Sequence, residues 1–448
     1  MKSKFIYGLG AAALIASVSA CKLAPVLDPN FPSVDAVTSN ASKAQLDALS
    51  IGQFSLARNG LATYTQVVGV VGKELFNFNS TESRWWTELN GIRPIDNSAF
   101  YNTATTAFGL PVRQANITIK ACDNTSAVTD QQKNGYKGVA NTFKALAYLY
   151  MLNAQGKNGV RLNVEDPFNP SKAATYAESI SAIAKLLDDG STQLDQAGGA
   201  FPFAMPSGFR SGIAGADFST PAGFKRFNRA IAARVALYQG DYAKTATLIG
   251  QSFMVLTGDI NIGPKHTFDP SSPDIANPLL NSTSVRIVGN QKLWDAAERG
   301  DKRLSKVAVQ ATPISYTAAG ASYATPYLAA MYRAATDVVP VIRNEELILI
   351  AAEAAAQTGG TAEAVRHINA VRTANGLGNY TGATTQAALI NAILKERFYS
   401  LWYEGHRWLD MRRLNRLGEI ELPVSSMKVL ENMERPVQEV NWDTRIIR

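Results

Sequence analysis

Three side chains near the end of the chain have the types and spacing of an acid–base or metal-binding group: Glu404, His406 and Asp410. Two carboxylates can divide the roles of proton donor and acceptor, and an imidazole between them can relay a proton or ligate a metal. Other features of the sequence weaken that reading. His406 is one of only three histidines, with His266 and His367, and no His-Glu-x-x-His or His-x-His spacing accompanies it. The same stretch also carries Arg397, Arg407, Arg412 and Arg413. Carboxylates interleaved with guanidiniums pair with them when buried, because a lone charge is costly away from water. The expectation is therefore structural ion pairing, Glu404 with Arg407 and Asp410 with Arg413, each three residues apart on a helix. No catalytic residue and no metal ligand is assigned.

A second pair of carboxylates, Glu88 and Asp96, would suit a secreted glycoside hydrolase. Nothing brackets that pair, and the chain has no Gly-x-Ser-x-Gly elbow, metal run or phosphate loop. Binding without catalysis needs different residues. Exposed aromatic rings stack on sugar faces while amides and guanidiniums bond the hydroxyls. Trp85, Trp86, Trp294 and Tyr101 are the aromatic candidates, with Asn79, Asn90 and Arg84 as polar partners. Trp85 and Trp86 are adjacent and cannot both face one core in a regular segment, so one of them is expected at the surface. The alternative for each is ordinary core packing.

These residues sit in two stretches expected to be loop-rich, 63–111 and 258–340, where aromatics mix with amides, Gly and Pro. Short strands are expected inside the second, at 284–288 and 306–310. The rest reads as helices: hairpins near 42–61, 129–155, 224–256, 344–373 and 385–416, with another helix at 176–194. The last hairpin is one helix or two broken near Gly405. Small residues such as Ala230, Ala233 and Ala351 face each other across turns at Gly240 and Gly359-Gly360. This is the pattern of tetratricopeptide-like helical hairpins, with a generic bundle as the alternative. The expected fold is thus mostly α: a helical-hairpin scaffold packed against a loop-rich subdomain with few short strands. The end from 422 onward is expected to be irregular.

The front of the chain reads as a targeting signal. Lys2 and Lys4 precede an apolar run that ends in small residues before Cys21, so 1–20 is expected to be a lipoprotein signal peptide and Cys21 the lipidated residue. The apolar run is short for a membrane span, which needs about 20 residues. Residues 21–40 then form a tether, and 41–448 a single domain. Cys122 has no partner left for an internal disulfide and is expected to be buried. The formal net charge is +7, or +5 once Lys2 and Lys4 are set aside, and it is not gathered into runs. That spread gives no reason to expect nucleic acid as a partner.

One long run then stands out. Glu396-Arg397, followed by Trp402-Tyr403-Glu404-Gly405-His406-Arg407-Trp408-Leu409-Asp410-Met411-Arg412-Arg413, resembles the C-terminal signature of the SusD/RagB family. Ala352-Glu353-Ala354, Ile368-Asn369-Ala370-Val371-Arg372 and Asp301-Lys302-Arg303-Leu304 are similar to its inner elements, while Asn441-Trp442-Asp443 departs from its usual ending. The resemblance implies an outer-membrane, lipid-anchored protein at the cell surface, with no cofactor and no catalysis. It implies capture of a nutrient, an oligosaccharide before a peptide, and a SusC-like TonB-dependent outer-membrane barrel as partner. A periplasmic tetratricopeptide-type adaptor without a small ligand is the alternative.

Overall fold

The computed structural model describes residues 33–166, 169–210 and 217–444. The expected signal peptide 1–20, Cys21 and residues 22–32 of the tether lie outside the described residues. The last part of the expected tether is helical: Ser33 caps α1 (Val34–Asn40), its hydroxyl accepting from the Ala36 amide.

Helix starts follow the sequence closely. Ser42 and Gln45 form a reciprocal capping box at the head of α2 (Lys43–Arg58). Thr129 and Gln132 do so for α5 (Asp130–Gln155), and Thr175 and Glu178 for α6 (Tyr176–Asp195). Between them run α3 (Leu61–Val71) and α4 (Gly109–Asn124). Helices α7 (Pro221–Gln239) and α8 (Tyr242–Gln251) turn at Gly240, whose φ of 73° suits a residue without Cβ. Helices α9 (Asn344–Gln357), α10 (Thr361–Ala374) and α11 (Gln386–Ser400) follow, then the short α12 (Arg407–Arg413).

Consecutive helices pack against one another: α4 on α5, α5 on α6, α6 on α7, α7 on α8, then α8 on α9 and α9 on α10 and α11. Close approach of α5 and α6 depends on Gly138, where a Cβ would lie 2.7 Å from Leu194 Cγ. Phe54, Phe143, Phe209, Phe224 and Phe227 interlock edge to face in the main core, with Phe54 4.8 Å from both Phe143 and Phe209. Cys122 is buried there, as expected.

The loop-rich expectation for 63–111 needs correction. It holds most of α3, strand β1 (Leu75–Asn79), a single turn at Arg84–Thr87 and the start of α4. The alternation Phe76-Asn77-Phe78-Asn79 has the two-residue period of a strand, but its pairing partner β2 (Val285–Gly289) is some two hundred residues away. The strand expected at 306–310 extends far beyond that. Strand β3 (Val307–Ala318) returns as β4 (Ala321–Ala329) through a two-residue turn in which Ala319 and Gly320 both have positive φ. The antiparallel sheet has the order β1-β2-β4-β3. The end is not wholly irregular either, because Val437–Thr444 forms α13. Among the described residues no helix is long and apolar enough to cross a membrane.

Candidate functional site

The Glu404, His406 and Asp410 group is an ion-pair layer. Helix α11 stops at Ser400, and the chain turns through Tyr403 (φ 65°) and Gly405 (φ 80°) before α12 begins. Glu404 therefore lies outside any helix and cannot meet Arg407 as expected. It accepts from Arg343 at 2.8 Å instead. The second expected pair is present: Asp410 binds Arg413 at 2.9 Å, and also Arg397 at 2.6 Å. Arg413 reaches on to Glu353, and Glu346 takes a fork from Arg234 at 2.6 and 2.7 Å. Burial raises the Asp410 carboxyl, but Arg397 and Arg413 outweigh it and hold the group at about 2. Glu345 and Glu346 are likewise held at about 2, against burial, by Arg343 and Arg234. Burial pushes His406 down to about 4, against the pull of Glu346, 3.8 Å away. Carboxylates fixed this low and paired on both sides are poor proton donors near neutral pH. Among the described residues no group of three or more His, Cys, Asp or Glu could hold a metal ion.

The expectation of solvent-facing aromatics is not met. Trp85, Trp86, Trp294, Tyr101, Asn79 and Asn90 are all buried, and only Arg84 is half-exposed. The turn at Arg84–Thr87 is wedged between two cores, so adjacent tryptophans find separate apolar surroundings. Trp85 packs 5.0 Å from Phe100 in the main core. Trp86 lies among Phe76, Phe78, Tyr316 and Tyr323 in a smaller core at the sheet. The polar partners are engaged locally. Asn79 Oδ1 accepts from the Thr81 and Glu82 amides, Asn90 Nδ2 donates to the Trp86 carbonyl, and Arg84 forks onto Glu82. Tyr101 donates its hydroxyl to Glu88, and Asp96 lies 3.6 Å from Arg84. Trp294 stands apart from the others, 5.1 Å from Trp402. Six of the seven candidates thus form one folding unit, without an exposed platform.

A roomier opening lies elsewhere among the described residues. A cleft of about 600 Å³ is bounded by α1, α4, α5, residues 160–165, Pro170 and α13. Val112, Ile117, Tyr148, Met151, Val160 and Val164 give it an apolar lining, and Arg113, Asn116, Lys120, Gln155 and Gln438 supply polar groups. Trp442 lines it from α13. Asn116 Nδ2 is buried without a hydrogen-bond partner. Helix α13 is clamped in place by Arg161, which binds Glu439 at 2.8 Å and Asp443 at 2.7 Å, and by Arg435, 2.7 Å from Asp443. An apolar lining with a few placed polar groups is the usual make-up of a small-molecule site. The local pattern offered one hint: Glu439 and Asp443 are four residues apart beside Trp442, which places both carboxylates on one helical face.

Helical hairpins and a small sheet define a scaffold of the tetratricopeptide-like kind, and known proteins share it. The family model described as SusD family matches residues 323–445. SusD-like protein P2 of Formosa agariphila is 33% identical over 114 residues, 21% of this chain and 22% of that relative, so the match spans about a fifth of the relative's length. A SusD superfamily protein of Bacteroides vulgatus superposes with a TM-score of 0.66 at 17% identity, covering 90% of this chain and 97% of the other. Surface glycan-binding protein A of Bacteroides thetaiotaomicron gives 0.67 at 12% identity, covering 91% and 98%. Over residues 323–445 the chain thus resembles the SusD family. Its sequence match is concentrated at the ion-pair layer, and its fold is shared nearly end to end.

Proposed function

We propose that this protein is a nutrient-binding lipoprotein of the outer membrane that holds an oligosaccharide in the α4–α5–α13 cleft. It passes the ligand unchanged to a TonB-dependent barrel. The observation that carries the binding reading is the cleft itself: Trp442 offers a ring, and Arg113, Asn116, Gln155 and Gln438 offer hydrogen bonds above an apolar lining. The shared fold with proteins named for binding surface glycans supports the ligand class. The paired carboxylates around α12 support binding without bond cleavage.

The test is a glycan array followed by calorimetry, with wild type and Trp442→Ala side by side. Binding of at least one oligosaccharide that weakens about tenfold in the variant is expected, the loss of one good aromatic contact. Unchanged affinity in the variant refutes the cleft, and turnover of the bound glycan refutes the non-catalytic reading. Mass spectrometry of Cys21, labelling of intact cells with an impermeant reagent and co-purification of a barrel test the anchor, the face and the partner. An unacylated protein that stays unlabelled favours the periplasmic adaptor.

A further inference from the structure

A second cleft, of about 530 Å³, opens between α2, residues 204–210 and the 265–275 segment, and shares no lining residue with the first. Its apolar side is made by Phe54, Met205 and Phe209, and Ile51 and Ile275 flank it at 43% and 47% exposure. Three cations line it, Arg58, Arg210 and Lys265, against one carboxylate, Asp274, which Arg58 already engages. Positive charge is therefore in surplus at the opening.

Two buried polar atoms in this cleft have no hydrogen-bond partner among the described residues. His266 is 3% exposed and its Nε2 makes no hydrogen bond, and Arg58 Nε makes none either. The Arg58 guanidinium is otherwise fixed, donating to the Thr267 carbonyl and lying 5.0 Å over the Phe268 ring. Buried polar atoms left unpaired are rare in folded proteins, and a water, an ion or a ligand can complete their bonding. Burial and the neighbouring Arg58 hold the imidazole at about 3, so His266 stays neutral and Nε2 can serve as an N–H donor across the ordinary pH range.

We propose that this cleft binds a small organic carboxylate, its charged end met by Arg58, Lys265 and His266 and its apolar flank resting on Phe54 and Phe209. A carboxylate supplies acceptors for the unmade donors and neutralises the surplus cations. The exposed isoleucines suit an apolar group beside it.

The probes are N-acetylphenylalanine and its uncharged amide, titrated calorimetrically into the full chain. The acid is expected to bind, and the amide to bind about tenfold or more weakly. Arg210→Glu with Lys265→Glu reverses two exposed or half-exposed charges away from the core. It is expected to weaken the acid about tenfold and to leave the amide unchanged. Trp442→Ala is expected to leave both affinities unchanged, which separates this cleft from the glycan site. Equal affinity for acid and amide, no binding of the acid to folded wild type, or an unaffected charge-reversal variant overturns the proposal.

Discussion

Arg397 and Asp410 form a two-point ion pair, Nε to Oδ2 at 2.6 Å and Nη2 to Oδ1 at 3.1 Å, where neither side chain reaches solvent. The pair ties the end of α11 to α12 across the turn at Tyr403 and Gly405. Arg413 joins it and carries the network to Glu353 in α9. Removing the shared carboxylate leaves two buried cations facing each other. Asp410→Ala is expected to lower unfolding stability by about 3–5 kcal/mol, the usual loss when one partner of a buried pair is deleted. The urea midpoint followed by circular dichroism checks this, and a loss below about 1 kcal/mol would show that the network is not holding α11 to α12.

Acid should undo the same layer. Asp410, Glu345 and Glu346 titrate near 2 in the fold, against about 4 in an unfolded chain. Their folded values are depressed, so their contribution is complete above about pH 4.5 and is lost as pH falls toward 2. Melting temperatures are expected to drop steeply over that window. A flat profile from pH 5 to 2.5 contradicts the assignment.

Lys73 behaves in the opposite way to a paired cation. It is fully buried with positive φ, and among the described residues its ammonium donates to the carbonyls of Val70, Val71 and Leu89 at 3.3–3.4 Å and to no carboxylate. Burial lowers it to about 7. Below that value both folded and unfolded chains carry the charge, and the folded one bears the cost of burying it. As pH rises from about 7 toward 10.5 only the unfolded chain keeps its proton, and stability rises. Lys73→Met is expected to stabilise the protein by a few kcal/mol at pH 6 and progressively less toward pH 10. Denaturation of both proteins at the two pH values decides it.

The tryptophans buried beside the sheet should report on folding and not on ligand. Trp86→Ala is expected to cost about 3–5 kcal/mol, as large-to-small core changes do. At temperatures where the variant stays folded, glycan affinity is expected to match wild type within about twofold. A selective loss of binding at full stability would return the site to the 75–101 unit.

Arg161 is the clamp on α13. Its replacement by Ala is expected to speed proteolysis within 435–444 several-fold and to weaken the cleft ligand, while the melting temperature of the main body stays within about 2 °C. Cleavage unchanged from wild type would mean that α13 holds without Arg161.

The helices were legible in the sequence because their causes are local. Of the ion-pair layer only the Asp410–Arg413 pair was, since Glu404, Arg397 and Glu346 find their partners far along the chain. Ser42 with Gln45 and Thr129 with Gln132 announce helix starts within four residues, and Gly240 announces a turn. The alternation of Asp410 with Arg413 likewise predicts its own pairing. The sheet was harder, since Phe76 pairs with Val288 and nothing between them reveals it. The turn at Ala319-Gly320 lacks the Asn or Asp that usually marks such hairpins. Trp85 and Trp86 misled for a physical reason: two cores meet at one short turn, so adjacent side chains can both be buried. The α13 cleft was invisible because its walls come from α1, α4, α5 and the last helix. No local window contains them.

The placement of α13 has a practical consequence. One wall of the cleft proposed for the glycan is made by the last described helix, which buries no residue and is fastened through ion pairs to Arg161 and Arg435. A premature stop after position 434, or a bulky affinity tag fused at that end, would yield well-folded material with an emptied pocket. On the proposed assignment, such a preparation would keep its helical signal and still lose its ligand.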